Sequence, residues 1–197
     1  MTKHLIIFTR YPEPGRTKTR LIPALGPEGA ALLHRQMAEK MVRTAQELAK
    51  LQSVSIEIQY TGSDLQLMQN WLGLDLTYQL QGTGDLGDRI IQAFQDAFMA
   101  GKSAVVIVGT DCPDLSCEIL SQAFEMLQHQ DIVIGPAQDG GYYLIGLCRL
   151  IPELFQGINW GTAEVLQQTI AICQDLNDSV GYLPQLSDVD RPEDLIE

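Results

Sequence analysis

Hydrophobic positions along this chain recur with two periods that alternate from end to end. Leu5-Ile6-Ile7-Phe8 and Ala104-Val105-Val106-Ile107-Val108 are continuous apolar runs of strand length, the pattern of strands covered on both faces. They predict a first strand over 5–9 and a central strand over 104–109. Leu33, Met37, Met41, Ala45 and Leu48 recur at three- and four-residue spacing and predict one long amphipathic helix over 27–51. Val54, Ile56, Ile58 and Tyr60 alternate with polar residues, so that strand is expected half-exposed or near a sheet edge. Next come a short helix over 64–72 capped by Ser63 or Asp64, and a short strand over 76–80. Leu86, Ile90, Phe94, Ala97 and Phe98 stripe a further helix that Gly101 ends. Beyond the central strand the pattern predicts a helix over 117–128, strands over 131–135 and 142–147, and a helix over 162–173. This alternation predicts an α/β fold: a mostly parallel sheet with helices on both faces. No repeat, linker or low-complexity segment interrupts it, so one domain over 1–197 is expected.

Composition narrows the class. Apolar residues make up 45% of the 197 residues, enough for a full core. A net charge of −12 argues against nucleic acid as a partner. The charge is unevenly placed. Through Arg43 the chain carries eight Lys/Arg against three Asp/Glu, and the remainder five against twenty-two. A basic N-terminal region facing carboxylates is one way to hold a metal–phosphate group. No stretch reaches the roughly 20 apolar residues of a membrane span, and the opening Met1-Thr2-Lys3 leads directly into a strand pattern. The cysteines Cys112, Cys117, Cys148 and Cys173 show no CxxC pair and form no zinc pattern with the histidines. Reduced thiols in a cytoplasmic protein are expected.

The central strand runs into Thr110-Asp111-Cys112-Pro113-Asp114. In open α/β sheets ligands sit beyond the carboxyl ends of the strands, and two carboxylates there suit a hard divalent cation with its phosphate ligand. Capping of the following helix would explain one of these aspartates but not both. The loop after the first strand, Arg10 to Leu21, carries Arg10, Arg16, Lys18 and Arg20 around Gly15. Backbone amides near Gly15 could approach an anion that the cations neutralise. The loop is neither a Walker A sequence nor a dinucleotide fingerprint. Gly82-Thr83-Gly84-Asp85 could let backbone approach a base or sugar, or form a turn capped by Asp85. Asp139-Gly140-Gly141 between two strands reads as a hairpin turn. In Asp188-x-Asp190, helix capping would explain Asp190 but not Asp188. His4, His34 and His129 lie in strand or helix patterns that suit structural or surface roles.

Five ordered segments (the PxxGxxKTRL loop, GDLGxR, TDCPDL, GPAxDGGYYLIGL and DVDxPEDL) resemble a bacterial family within the GT-A glycosyltransferase superfamily, the radical-SAM/selenodomain-associated transferases. The resemblance spans residues 5 to about 195. More distantly the layout is similar to phospholactate and molybdenum-cofactor guanylyltransferases, which share the nucleotide-diphospho-sugar transferase fold. The resemblance implies that Asp111 stands where a DxD aspartate binds metal. It implies that Asp188 and Asp190 complete a site for Mg²⁺ or Mn²⁺. It also implies that Gly15, Arg16, Lys18 and Arg20 wrap nucleotide phosphates and that Asp139, Gly140 and Gly141 line the acceptor side. The chain departs from strict DxD by having Asp111-Cys-Pro-Asp114, and its N-terminal loop lacks the dense glycines of the molybdenum-cofactor enzymes.

The expected activity is metal-dependent transfer from a nucleotide donor, with Asp111, Lys18 and Arg20 carrying catalysis, Arg10 and Gly84 assisting donor binding, and a small molecule as acceptor. Such transfer needs positioning and charge neutralisation rather than a covalent nucleophile. Two reactions suit the fold: an NTP donating NMP, favoured by the basic loop, or an NDP-sugar donating sugar. A nucleotide-binding protein without turnover is the third reading. The half-exposed strand 54–60 could pair across a homodimer.

Overall fold

The computed structural model describes residues 1–195; the last two positions of the expected 1–197 domain lie outside the described residues. Seven strands form one sheet: β1 (Lys3–Arg10), β2 (Val54–Thr61), β3 (Thr77–Leu80), β4 (Ala104–Val108), β5 (Ile132–Pro136), β6 (Tyr142–Leu147) and β7 (Val180–Tyr182), in the order β3-β2-β1-β4-β6-β5-β7. β6 alone runs antiparallel to its two neighbours, β4 and β5; the other four pairings are parallel. The mostly parallel expectation therefore stands. β2 is one strand in from the edge, covered there by β3, which explains its alternating pattern. β7 has no counterpart in the sequence pattern because three residues are too few to show a period.

Alternate residues of the central strands feed two cores. Leu5, Ile7, Val106 and Val108 pack beneath α1 (Ile22–Leu51), α2 (Leu65–Leu72) and α4 (Cys117–Met126). Ile6, Val105 and Ile107 pack with Phe94 of α3 (Leu86–Met99), Phe155 of the 152–155 turn and Cys173 of α5 (Val165–Leu176). Each fully buried Leu, Ile or Phe contributes about 1.5–3 kcal/mol. Phe94 links its layer by stacking on Phe98 and Phe155 with centroids 6.1 and 5.7 Å away.

The caps show how the helices are aimed. α1 breaks at Gly26, whose φ of 71° admits glycine readily, and its regular part resumes at Pro27, where the periodicity predicts a start. Asp64 caps α2, Asp85 caps α3 through a reciprocal capping box with Asp88, and Ser116 caps α4. Neither Asp111 nor Asp114 is a helix cap. Among the described residues no helix is long and apolar enough to cross a membrane. All four cysteines are free.

Candidate active site

The carboxyl ends of β1 and β4 lie side by side in parallel register, which brings two distant segments together. β1 ends at Arg10 and enters the basic loop. Thr17, 2% exposed, clasps that loop: its hydroxyl donates to the Tyr11 carbonyl at 3.1 Å and accepts from the Glu13 amide at 3.2 Å. Gly15 turns the chain with φ 79°, and Lys18 adopts the left-handed φ of 45° that non-glycine residues rarely take. Buried Leu21 then anchors the loop's exit. β4 ends at Val108, with buried Thr110 and outward-facing Asp111 beyond it. The tail arrives from the other edge. Leu186 bridges to Ala137 beside the β5–β6 hairpin, and the Val189 amide donates to the Asp111 carbonyl at 2.9 Å.

Lys18 joins the three segments. Its ammonium is 2.8 Å from Asp111 Oδ1 and 3.8 Å from Asp190 Oδ1, and it donates to the Val189 carbonyl at 2.5 Å. Its side chain is only 4% exposed, so the charge is held by these partners rather than by water. Arg20 donates to Asp190 Oδ2 at 2.6 Å. Asp188 lies beside them, half-buried. Burial first, then the charges of Asp139, Asp194 and Asp111, push its carboxyl above the usual aspartate value. Burial, with Asp188, Asp111 and Asp139 adding to it, pushes the Cys112 thiol up to about 12. Cys112 is thus a neutral thiol and no nucleophile.

The three aspartates expected at a metal centre are not gathered into one cluster in this structure. Among the described residues no group of three His, Cys, Asp or Glu side chains could hold a metal ion. Asp190 is turned onto Arg20 and Lys18 instead, and the Asp190 and Arg191 amides are capped by Asp194, not by Asp190. The remaining pair, Asp111 and Asp188, does fit a hard cation. Their carboxylates are the donors such ions prefer, and the repulsion felt by Asp188 is what a dication relieves. Magnesium sites commonly take only one or two protein carboxylates, with phosphates and water filling the rest.

Two clefts flank this ion-pair cluster. The first, about 390 Å³, runs between β1, β4 and β6; Thr9, Arg10, His34, Gln81, Asp111 and Tyr142 are on its walls. The second, about 670 Å³, has Arg20, Asp114, Asp139, Thr162, Asp188 and Asp190 on its walls. The Lys18 contacts to Asp111 and Asp190 join the wall of one to the wall of the other.

Other expected site residues fall outside this constellation. Arg16 turns outward to Glu13 at 3.4 Å with 73% of its side chain exposed. Gly84 lines neither cleft. Its φ is +94°, its carbonyl accepts from Arg89, and a Cβ there would collide with the Asp88 carboxylate at 2.2 Å; it serves the capping turn of α3. Gly140, at φ +89°, docks α5: its carbonyl accepts from the Leu166 amide at 2.9 Å, and a Cβ would stand 2.3 Å from the Ala163 carbonyl oxygen. The Gly141 amide donates to Asp139 Oδ1 at 2.8 Å and sets that carboxylate at the second cleft. The predicted hairpin turn is therefore real.

The sequence patterns gave no ligand role to two wall residues. His34, expected to be structural or surface, is buried on the first cleft and bonds the Arg10 carbonyl at 2.9 Å. Gln81 donates to the carbonyls of Thr9 and Gln59 and ties β1 to β2 at the same mouth. A lone polar residue after a strand was the only signal available for it.

Comparisons with known proteins give the family and the fold. The model of a family described as uncharacterized protein conserved in bacteria (DUF2064) matches residues 44–162. A protein of Desulfovibrio desulfuricans G20, provisionally named a nucleotide-diphospho-sugar transferase, is 38% identical over 97% of this chain and 84% of its own, with a TM-score of 0.90. The 4-diphosphocytidyl-2C-methyl-D-erythritol synthase of Anaerococcus prevotii has a TM-score of 0.63 at 11% identity, over 98% of this chain and 94% of its own. The inositol-1-phosphate CTP transferase of T. maritima has a TM-score of 0.61 at 13% identity, over 100% and 92%. These two share the fold. No curated protein matches the sequence.

Proposed function

This chain belongs to the DUF2064 family, and we propose that it is a metal-dependent nucleotidyltransferase, one catalytic domain moving NMP from an NTP to a small acceptor. The observation that carries this reading is a buried lysine bridging an aspartate on the wall of one cleft to an aspartate on the wall of another. The first cleft takes the donor, with the base toward Thr9, Gln81 and Tyr142 and the phosphates over Lys18 and Arg20. The second takes the acceptor beside Asp139. Asp111 and Asp188 would hold Mg²⁺ or Mn²⁺, which would supply charge neutralisation for the donor's phosphates. Lys18 and Arg20 neutralise that same charge from the loop side, and the clasp at Thr17 keeps both cations aimed. The acceptor oxygen attacks the α-phosphorus while pyrophosphate leaves opposite it; orientation and charge neutralisation supply the acceleration. The cytidylyl-transferring names of two proteins sharing the fold support this reading, as does the motif resemblance to guanylyltransferases.

A second reading, sugar transfer from an NDP-sugar, is favoured by the name given to the Desulfovibrio protein. One panel separates them: melting temperature with each of the four NTPs and common NDP-sugars, with and without Mg²⁺ or Mn²⁺. Ligand at a hundred times Kd stabilises by about 2.7 kcal/mol, roughly 5–10 °C for a domain of this size. A metal-dependent shift with one NTP is expected. A shift confined to NDP-sugars replaces this reading by glycosyl transfer, and no shift removes both. Asp111→Asn should lose turnover by at least about a hundredfold, the scale of losing a charge-stabilising group, while the far-UV spectrum stays native. A fully active variant refutes the assignment.

A further inference from the structure

We propose that Lys18 is a place-holding cation: without nucleotide it occupies Asp111, and donor phosphates draw it away, so that divalent cation binds tightly only once nucleotide is present. The inference rests on the reading of Asp111 as a metal-binding residue. Its grounds are geometric. The ammonium lies 2.8 Å from Asp111 Oδ1, where a cation serving that carboxylate would compete for the same lone pairs. It is 4% exposed, so it cannot leave for water without another anion to receive it. Its three partners come from segments far apart in the chain, Asp111 after β4 and Val189 and Asp190 in the tail. The Val189 amide meanwhile bonds the Asp111 carbonyl at 2.9 Å, so Asp111 and Lys18 hold one residue of the tail through its amide and its carbonyl. The loop holds the ammonium there through the left-handed backbone of Lys18 itself and the adjacent Thr17 clasp.

A triphosphate changes this balance. Its oxygens offer Lys18 a stronger anionic partner than one half-exposed carboxylate. Once Lys18 turns to them, Asp111 is released, and it and Asp188 face a fresh excess of negative charge that a dication satisfies. The two bindings are thus coupled, and by linkage each strengthens the other. In the nucleotide-free protein the fraction of molecules with Asp111 available sets the apparent metal affinity.

The test is Mn²⁺ binding followed by electron paramagnetic resonance, a readout independent of turnover, on wild type, Lys18→Met and Lys18→Arg, each with and without the NTP that shifts melting. Circular dichroism confirms that each variant is folded. Without nucleotide, Lys18→Met should bind Mn²⁺ about tenfold more tightly than wild type, and Lys18→Arg, which keeps the charge, should stay near wild type. Adding NTP should tighten Mn²⁺ binding strongly in wild type and much less in Lys18→Met. Equal nucleotide-free affinity in wild type and a folded Lys18→Met, with NTP still tightening both, overturns the place-holder and leaves the proposed function standing. Absence of Mn²⁺ binding in every sample overturns the metal-dependent reading and the place-holder with it.

Discussion

Gly140 offers a sharp test of what the DGG turn is for. The motif resemblance assigns Asp139, Gly140 and Gly141 alike to the acceptor, whereas the structure gives Gly140 a mechanical task. Its φ is +89°, so alanine there takes a left-handed conformation costing about 1–2 kcal/mol. The added Cβ would also stand 2.3 Å from the Ala163 carbonyl oxygen and 2.7 Å from the Ala163 Cα, backbone that cannot swing aside. Relief requires the start of α5 to move and weakens the 2.9 Å bond from the Leu166 amide to the Gly140 carbonyl, about 1 kcal/mol more. The total is roughly 2–3 kcal/mol, or a fall in Tm of about 4–12 °C. Gly141 provides the contrast. Its φ is not positive, and a Cβ would meet only the Asp139 carboxylate at 3.1 Å, the far end of a rotatable side chain. Gly141→Ala should therefore cost less than about 1 kcal/mol. Thermal denaturation of both variants, monitored by circular dichroism, decides the matter. A Gly140→Ala protein melting with wild type, or a Gly141→Ala protein melting as low as Gly140→Ala, refutes the docking argument.

Two further outcomes follow from the site's walls. Burial holds the His34 imidazole below its ordinary value near 6.5, outweighing its bond to the Arg10 carbonyl and the nearby Asp111 charge. The folded protein thus resists a proton that the unfolded chain accepts; stability present above pH 6.5 is lost as the pH falls below it. Tm should drop between pH 7 and 5.5, and His34→Gln, whose amide can keep the bond to Arg10, should lessen that drop; an unchanged pH slope contradicts the assignment. Thr17→Val removes a buried hydroxyl that both donates and accepts within the loop, an effect of about 1–3 kcal/mol. Its consequence should fall on the donor's KM, several-fold upward, as Lys18 and Arg20 lose their aim; a variant with lowered Tm but unchanged KM would separate the clasp from the site.

The parts of this molecule legible in the sequence are those written locally. Continuous apolar runs identified β1 and β4, period-four stripes identified α1 and α3, and Asp111 was legible as the first carboxylate beyond the central strand. The cap of α2 was read to within one residue because Asp64 acts on its own helix, three positions away. What the sequence does not express is pairing over distance. Lys18 and Val189 are 171 positions apart, and the atom Lys18 meets there is a backbone carbonyl that any residue could supply. The motif resemblance alone pointed to Asp190 as a ligand; only the closed fold reveals that Arg20 meets it. Asp188 and Asp190 differ in their surroundings, one facing three carboxylates and the other two cations, although the residue type is the same. The basic N-terminal region and the acidic remainder of the chain hinted at such a meeting. The fold turns that asymmetry into specific chemistry by bringing the tail across the ends of β1 and β4. Any change that lifts the tail should therefore disturb the electrostatics of Asp111 and Lys18 before it disturbs the core.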